Sequence, residues 1–253
     1  MRVKTLILAT SAAGALALSA GAASADPNGW YGAVDAGYHS LGNAETFGNP
    51  GPEFDIDVQG DWAGFARLGY RFTPNWRVEL EGGYRDNNQF DYIVSPGPGL
   101  PTGICNVQPP VGPCLTPEGE LSAATLMANV IYDFGDESWS LRPFIGLGAG
   151  AARISTNFVG TLGGQRTIGI AAEDHSVDLA AQGILGLAWA IGDRANVDLT
   201  YRYLMSNFEY DTTRSVAPQY GTFTGRYDES HTVSLGLRYS FGAEPAPPPP
   251  APT

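Results

Sequence analysis

The residues with the most recognisable chemistry lie near the C-terminal end of the chain. His231 follows Glu229 and Ser230, and Ser234 comes three residues later. A serine activated by a histidine, which a carboxylate orients, can cleave an acyl ester. Nothing in this spacing fixes the geometry of a base and its orienting group. We therefore interpret His231 as a histidine at the end of a strand and expect no catalytic residues.

Acidic and glycine-rich stretches offer two further kinds of site. Asp55, Asp57 and Asp61 could bind a divalent cation, but they lack the glycine and terminal glutamate of a calcium loop. The alternating glycines of residues 146–150 lie within a strand-like run and do not precede a helix. A nucleotide-binding loop requires that helix. We expect no metal site and no cofactor.

Residues 1–25 have the pattern of a secretory signal peptide. Two basic residues precede an apolar run over 6–18, and an Ala-x-Ala site ends at Ala25, so cleavage is expected before Asp26. The run is shorter than the roughly 20 residues of a membrane-spanning helix. Two of the 14 basic residues lie in this segment, which leaves 12 arginines against 26 acids and a net charge of −14. Such a chain is not expected to bind nucleic acid.

The chain has two cysteines, Cys105 and Cys114, in a proline-rich segment over 101–117. An exported chain enters an oxidising compartment, where cysteine pairs form disulfides. A zinc site would need further cysteines or histidines nearby, and the sequence has none there. We therefore predict a disulfide between these two residues.

Any chemistry of this chain must be positioned by strands, because eight runs alternate in polarity with a period of two. These runs cover residues 30–39, 61–72, 76–85, 122–134, 139–151, 177–191, 196–204 and 232–241. In the run 76–85, four charged residues alternate with large apolar ones. A soluble core would not accommodate that pattern. It suits a strand with lipid on one side and a polar lumen on the other.

The links between these strands alternate in length. Short links cover 73–75, 135–138 and 192–194, and long ones cover 42–58, 87–120, 153–175 and 205–228. Short periplasmic turns and long outer loops are typical of outer-membrane barrels. We predict an all-β fold, an eight-stranded antiparallel up-and-down transmembrane β-barrel over residues 26–242. The alternative, a soluble ligand-binding barrel of the lipocalin type, would point its apolar residues inward.

If the apolar faces meet lipid, the charged faces meet in the lumen. The expected lumenal residues are Arg67, Arg71, Arg77, Arg85, Arg142, Arg202 and Arg238, with Asp35, Asp61, Glu79, Glu81, Asp133, Asp178 and Asp198. An eight-stranded barrel is just wide enough for side chains to fill it. We therefore expect seven bases and seven acids in a paired structural network. A narrow channel, opening when pairs exchange partners, is the alternative.

Over about residues 26–242 the chain resembles the transmembrane half of the OmpA family of outer-membrane proteins. The resemblance rests on WYG at 30–32, VELEGGYR at 78–85, LMANV at 126–130, RPFIG at 142–146, YRYL at 201–204 and the final strand. Ser234, Gly236, Tyr239 and Phe241 also resemble the terminal signal that the barrel-assembly machinery reads. The resemblance implies contact with that machinery, with outer-membrane lipid and with lipopolysaccharide.

The chain also departs from that family. There, a Pro/Ala-rich linker joins the barrel to a peptidoglycan-binding domain, and residues 243–253 (AEPAPPPPAPT) are similar to such a linker. Peptidoglycan is therefore an expected partner only if that domain follows. The lumenal gate of the family does not transfer, because Asn129 and Ala188 stand where a charged pair would be sought.

The function we expect from these observations is structural. The barrel would stabilise the envelope and display four external loops as an adhesin or receptor surface. A narrow gated channel for small solutes or ions is the alternative. A lipid A-modifying barrel enzyme, built on His231, is a more remote one.

Overall fold

The computed structural model describes residues 28–42, 44–48, 53–94, 104–106, 118–136, 139–162, 165–211 and 222–241. In these ranges the strands are β1 (Gly29–Leu41), β2 (Ala44–Gly48), β3 (Glu53–Val58), β4 (Asp61–Arg71), β5 (Trp76–Val94), β6 (Ile104–Cys105), β7 (Glu118–Asp133), β8 (Leu141–Leu162), β9 (Gln165–Ala190), β10 (Ala195–Asp211) and β11 (Thr222–Ser240). No helix within them is long and apolar enough to cross a membrane.

Eight of these strands form a closed antiparallel barrel in the order β1, β4, β5, β7, β8, β9, β10 and β11. The barrel closes between β1 and β11, from Tyr31 opposite Ser240 to Leu41 opposite Ser230. Every neighbouring pair along the wall is antiparallel. The predicted eight-stranded up-and-down barrel is confirmed.

An apolar band with aromatic rims covers the outside of the barrel. At one rim the Trp30 ring packs edge-on to Tyr70 at 5.3 Å, and at the other Trp62 lies 5.9 Å from Tyr84. Trp30 and Tyr38 face outward on β1, eight residues apart. The rims are therefore about 26 Å apart along the strand and, at a tilt of about 40°, about 20 Å apart along the membrane normal. An outer-membrane barrel has an apolar band about 25 Å tall. Because the apolar residues face outward, the lipocalin alternative is wrong.

The short links lie together at one end of the barrel, here named the inner end. The backbone N–H of Trp76 donates to Thr73 Oγ1 at 3.0 Å. Asn75 Nδ2 donates to the backbone oxygens of Asp133 and Gly135, at 2.8 and 3.0 Å. Gly135 has a φ of 84°, a conformation that favours glycine. These contacts hold two neighbouring turns in register.

The long links, at the outer end, differ from the prediction because much of their length is strand. β5 continues to Val94, β8 and β9 extend to Leu162 and Gln165, and β10 extends to Asp211. Where β1 and β4 have ended, β2 and β3 take their place in the wall between β11 and β5. β6 pairs with both β5 and β8. The wall therefore continues beyond the apolar band as an outer extension.

A reversal of polarity explains why the sequence did not indicate this extension. On β10, Arg202 faces in and Leu199 faces out, whereas further along Phe208 and Tyr210 face in and Glu209 faces out. The second pattern belongs to a sheet with water outside and an apolar core inside. A search for apolar residues facing outward therefore ends the strands too early.

The interior of the outer extension is an apolar core. Phe208 and Phe223 stack on either side of the Tyr210 ring, at 6.1 and 5.2 Å. The Tyr210 hydroxyl donates to Thr46 Oγ1 on β2 at 3.3 Å. Burial raises the pKa of this phenol above its ordinary value. The core ties the inserted hairpin β2–β3 to β10 and β11.

Three predictions fall wholly or partly outside the described residues. They are the signal peptide with its Ala25–Asp26 cleavage site, the tail 243–253 and the disulfide partner Cys114. Cys105 is described and is buried in β6. The disulfide stays a prediction.

Candidate functional site

The largest group of buried charges lies in the lumen of the barrel. The structure brings together Asp35, Arg67, Arg71, Arg77, Glu79, Glu81, Arg85, Asp133, Arg142, Asp198, Arg202 and Arg238, none more than 6% exposed. Asp61 and Asp178 do not join this group. Each is half-buried and accepts a hydrogen bond from the backbone N–H of the following residue, at 2.7 and 3.0 Å. Both have the inward position that the alternation predicts for them, but they lie nearer the outer end, so five of the seven expected acids form the described network.

Arg67 makes the most contacts in this lumenal network. Its Nε and Nη2 donate to the two carboxylate oxygens of Asp35, both at 2.8 Å. Nη2 also donates to Asp198 at 3.0 Å, and Nη1 donates to Glu79 at 3.1 Å. One guanidinium on β4 thus contacts carboxylates on β1, β5 and β10. The bidentate fork of arginine suits this role better than the point charge of a lysine.

Arg202 forms a second centre nearer the outer end. Its Nε donates to Glu81 at 3.0 Å, Nη2 to Asp35 at 2.9 Å and Nη1 to Ser234 Oγ at 2.7 Å. The guanidinium carbon lies 4.1 Å from the centre of the Phe65 ring. Asp35 is therefore shared by the two centres and joins them.

The inner end of the lumen is rich in arginine. Asp133 lies 3.0 Å from Arg77, 3.3 Å from Arg71 and 3.8 Å from Arg142. Arg77 also pairs with Glu79. One carboxylate thus faces three guanidinium groups.

Uncharged polar residues complete the network. The Tyr31 hydroxyl donates to Glu79 at 2.8 Å, and Gln182 Nε2 donates to Glu81 and to Asn129 Oδ1, at 3.0 and 2.8 Å. The sequence-based set did not include these three residues, because it was selected by charge. Each of the three lies at an inward-facing position in the alternation of its strand, and this position could have identified it from the sequence. With them, all eight barrel strands contribute to the network.

The four residues resembling an assembly signal lie on both faces of β11 and just beyond it. Ser234 and Gly236 face the lumen, while Phe241 is exposed with its ring 5.7 Å from that of Tyr239. A Cβ at Gly236 would lie 1.6 Å from Asp35 Oδ1. Packing in the lumen therefore requires glycine here. The assembly role stays a prediction.

The proposed serine–histidine pair is not assembled. His231 is exposed on the outer face, where its Nδ1 lies 2.7 Å from the Tyr201 hydroxyl. Ser230 and Ser234 are buried on the lumenal face of the same strand. Because alternate residues of a strand point to opposite faces, neither hydroxyl can donate its proton to this imidazole. The residues that could support an acyl hydrolase are therefore separated by the barrel wall.

The aspartates considered for a cation do not form a site in the described part of the chain. Asp55 and Asp57 lie on β3, and Asp61 begins β4. Among the described residues, no group of three or more His, Cys, Asp or Glu side chains is arranged to hold a metal ion.

The wall of the barrel contains a seam, formed by residues 174–179 of β9 and 207–211 of β10. Backbone pairing of these strands ends where Ser206 faces Ala180. Beyond this point side chains replace the ladder. The N–H groups of Glu209 and Asp211 donate to Ser176 Oγ and Asp174 Oδ2, at 3.1 and 2.9 Å.

Two grooves follow the seam on the outside of the wall. The larger, of about 890 Å³, is lined by apolar and small side chains including Leu126, Ala149 and Leu179. The smaller, of about 350 Å³, is lined by charged and aromatic residues including Glu209. Both reach Arg226. The wall is thus least continuous at the boundary between the apolar band and the outer extension.

Comparisons with known proteins agree with this architecture. The family model described as "Outer membrane protein beta-barrel domain" matches residues 10–241. No curated protein matches the chain significantly in sequence.

The solved structures to which the chain is similar are distant in sequence. The outer membrane protein OprG from Pseudomonas aeruginosa is 11% identical, with a TM-score of 0.55, over 85% of this chain and 98% of that one. Neisserial surface protein A is 16% identical, with a TM-score of 0.41, over 84% and 97%. The outer membrane protease OmpT from Escherichia coli is 10% identical, with a TM-score of 0.47, over 87% and 99%. At these identities the likeness concerns the fold alone. Since the family match spans most of its length, this chain belongs to the outer-membrane β-barrel domain family and is a protein of the bacterial outer membrane.

Proposed function

We propose that this protein is a structural barrel of the outer membrane, closed to solutes along its axis, that presents its outer extension as a binding surface. The observation that carries the proposal is the lumenal network, to which all eight barrel strands contribute side chains. Its centre, Arg67, contacts Asp35, Glu79 and Asp198 from three other strands. An aqueous path would have to break several buried ion pairs.

Breaking these pairs is costly. Removing one partner of a buried ion pair costs about 3–5 kcal/mol, because the other charge stays buried without compensation. The Arg67 and Asp35 side chains are 1% and 0% exposed, so water offers no substitute. The same network cross-links the wall and resists deformation of the barrel, as an envelope-stabilising function requires.

The outer extension supports the second half of the proposal. Its strands continue the wall beyond the apolar band, with an apolar core inside and polar residues such as Asn157 and Glu209 outside. A rigid sheet positions the loops at its end better than a free chain does, and loops on a rigid scaffold commonly carry binding functions. Outer-membrane lipid, lipopolysaccharide and the barrel-assembly machinery are the partners we propose for the wall itself.

Two experiments test this proposal. In planar bilayers the purified protein should give no discrete conductance steps, whereas steps would contradict the closed lumen.

Deleting the gene should make cells more permeable to an apolar dye, and the intact gene should restore the barrier. A variant lacking residues 213–220 should also restore it while losing binding to host surfaces. Loss of both properties, or of neither, would contradict the separation of wall and loops.

A second candidate function is sideways passage of a small apolar molecule between the interior of the outer extension and the lipid. The seam favours it, because β9 and β10 lack backbone pairing there and an apolar groove of about 890 Å³ lies in front. Behind the seam lie Phe208 and Ala172 of the apolar core. A molecule using this path would bypass the ion network.

Cross-linking the seam tests this second candidate. Cysteines at Leu179 and Asn207 would join the two strands, because both side chains are exposed and line the same groove on either side of the seam. Cells that depend on a medium-chain hydrocarbon should grow with the reduced variant and stop when the pair is oxidised. Cysteines at Ser122 and Ser155, opposite each other across paired strands, serve as the control. Equal uptake in both oxidised variants, or in cells without the protein, would exclude the seam as a path.

A further inference from the structure

The lumen contains an excess of positive charge. Its buried side chains include seven arginines but five carboxylates among the described residues. Several arginines share the available acids, as Arg71, Arg77 and Arg142 share Asp133. Buried charges are stable only when they are compensated. Among the described residues, the lumen thus contains two more buried cations than carboxylates.

Arg85 carries one unit of this excess. It is fully buried, and no carboxylate of the described residues lies within ion-pair distance of its guanidinium. Nη1 donates to Thr125 Oγ1 at 3.3 Å, while Nε and Nη2 have no hydrogen-bond partner. The nearby Glu81 is already bound by Arg202 and Gln182. Arg85 is thus a buried cation with two free donors.

A second cation lies close to Arg85. The guanidinium carbons of Arg85 and Arg202 lie 5.1 and 4.1 Å from the centre of the Phe65 ring. The face of an aromatic ring attracts a cation, but this attraction is smaller than the cost of burying an ion. The ring alone therefore does not compensate the charge.

Hydroxyl groups of β11 face this part of the lumen. Tyr227 lies within electrostatic range of Arg85, and Ser230 and Thr232 follow it on β11. All three are buried, and Thr232 lies opposite Arg202 on β10. The Thr232 hydroxyl has no hydrogen-bond partner among the described residues, whereas the Tyr227 and Ser230 hydroxyls interact with each other. Leu41, which lies opposite Ser230, belongs to the apolar core of the outer extension. The site is therefore cationic, rich in donors and closed toward the outside by apolar side chains.

We propose that Arg85, with the hydroxyls of Tyr227, Ser230 and Thr232, binds a small monovalent inorganic anion of the size of chloride. The anion accepts hydrogen bonds from Nε and Nη2 of Arg85 and neutralises a charge that no described carboxylate reaches. Water could satisfy the donors but not the charge.

The test follows the stability of the folded protein in detergent while chloride replaces gluconate at constant ionic strength. Chloride at a hundred times its dissociation constant should raise the ratio of folded to unfolded protein by about 100-fold. The effect should disappear in Arg85→Met and persist in Arg153→Met, which removes the same charge from an exposed position on β8. An equal chloride effect in both variants, or none in the wild type, would overturn the proposal.

A second measurement covers the case in which Arg85→Met does not fold. Crystals of the wild-type protein grown in bromide should show an anomalous peak within about 3.5 Å of Arg85 Nε and Nη2, a distance typical of a hydrogen-bonded halide. Arg85→Lys keeps the charge but replaces the planar guanidinium and its paired N–H donors by a single ammonium group. This variant should weaken the chloride effect about tenfold. Bromide peaks confined to the protein surface would exclude the site.

Discussion

Arg67 shows how much a single residue contributes to this lumen. Its guanidinium contacts Asp35, Glu79 and Asp198, which lie on three different strands. Each contact alone would be an ordinary buried pair, but together they place one cation against three carboxylates in a space that excludes water. Because removing one partner of a buried pair leaves the other charge uncompensated, this residue should be far less tolerant of substitution than an exposed arginine.

Replacing Arg67 by methionine, which keeps the length of the side chain, should lower the free energy of unfolding by about 3–5 kcal/mol. The physical reason is the loss of the shared cation from three buried carboxylates. Urea unfolding in lipid vesicles measures the change. Arg153→Met, at an exposed position, should alter the free energy by less than about 1 kcal/mol. Equal effects of the two substitutions would contradict the role assigned to Arg67.

Glycine at 236 is a second residue-scale requirement. A Cβ in this position would overlap Asp35 Oδ1 and push the carboxylate away from Arg67 and Arg202. Gly236→Ala should therefore lower the temperature at which the folded band disappears on an SDS gel. Gly82→Ala is the matched control, because a Cβ there meets no atom within 4 Å. If Gly236→Ala behaves like the control, Asp35 is free to move and the packing argument fails.

Among the strands, β9 and β10 differ from their neighbours because they separate beyond Ala180 and Ser206. A register shift between Leu204 and Ser206 in the pairing of β10 with β11 lies at the same level. Side-chain hydrogen bonds from Ser176 and Asp174 satisfy the N–H groups left on β10. The wall is closed there by two side chains rather than by a backbone ladder.

The seam should therefore open more readily than the rest of the wall. Ser176→Ala removes the partner of the Glu209 amide and should increase its hydrogen-exchange rate about fivefold, since one hydrogen bond is worth about 1 kcal/mol. Ser155→Ala should leave exchange unchanged, because Ser155 lies opposite Ser122 and His175 in an intact ladder. Uniform exchange along β10 in the wild-type protein would show that the seam is not weaker.

The outer extension is stabilised separately, by its apolar core. Phe223 is fully buried and stacks on Tyr210, whereas Phe47 is 43% exposed. Phe223→Ala should destabilise the extension by about 3–5 kcal/mol. The parts of β10 and β11 that lie on the outer side of Ser206 should then become sensitive to protease. The apolar band should keep its resistance to heat. Phe47→Ala should have little effect, and equal proteolysis of both variants would argue against a separate outer core.

At the scale of the whole molecule, closure of the barrel is the dominant property. The pairing of β1 with β11 from Tyr31 to Leu41 leaves no edge strand in the apolar band. A bilayer tolerates sheets only when every backbone group is paired in this way. Closure also couples the eight strands, because no strand can leave without breaking two ladders.

Closure predicts a simple behaviour in detergent. Protein loaded on an SDS gel without heating should remain folded and migrate at a different apparent mass from boiled protein. The lumenal network should make this transition sharp, since its ion pairs break together. Identical migration before and after boiling would contradict a closed barrel.

The sequence by itself determined the strands of the apolar band and the residues that face the lumen. A period of two is a local property, so Asp35, Arg67 and Glu79 could be assigned to one face without knowing their neighbours. The alternation of short and long links then indicated the barrel. The same local pattern ended the strands too early, because the outer extension reverses the polarity of the apolar band and places Phe208 inside.

The tertiary structure alone decided which lumenal residues meet. Arg67 pairs with Asp35 32 positions away and with Asp198 131 positions away, and these contacts depend on the register at which all eight strands close. The same register keeps Asp61 and Asp178 out of the network and leaves Arg85 without an ion-pair partner among the described carboxylates. A period of two tells which face a side chain lies on, but only closure tells what lies across the lumen from it.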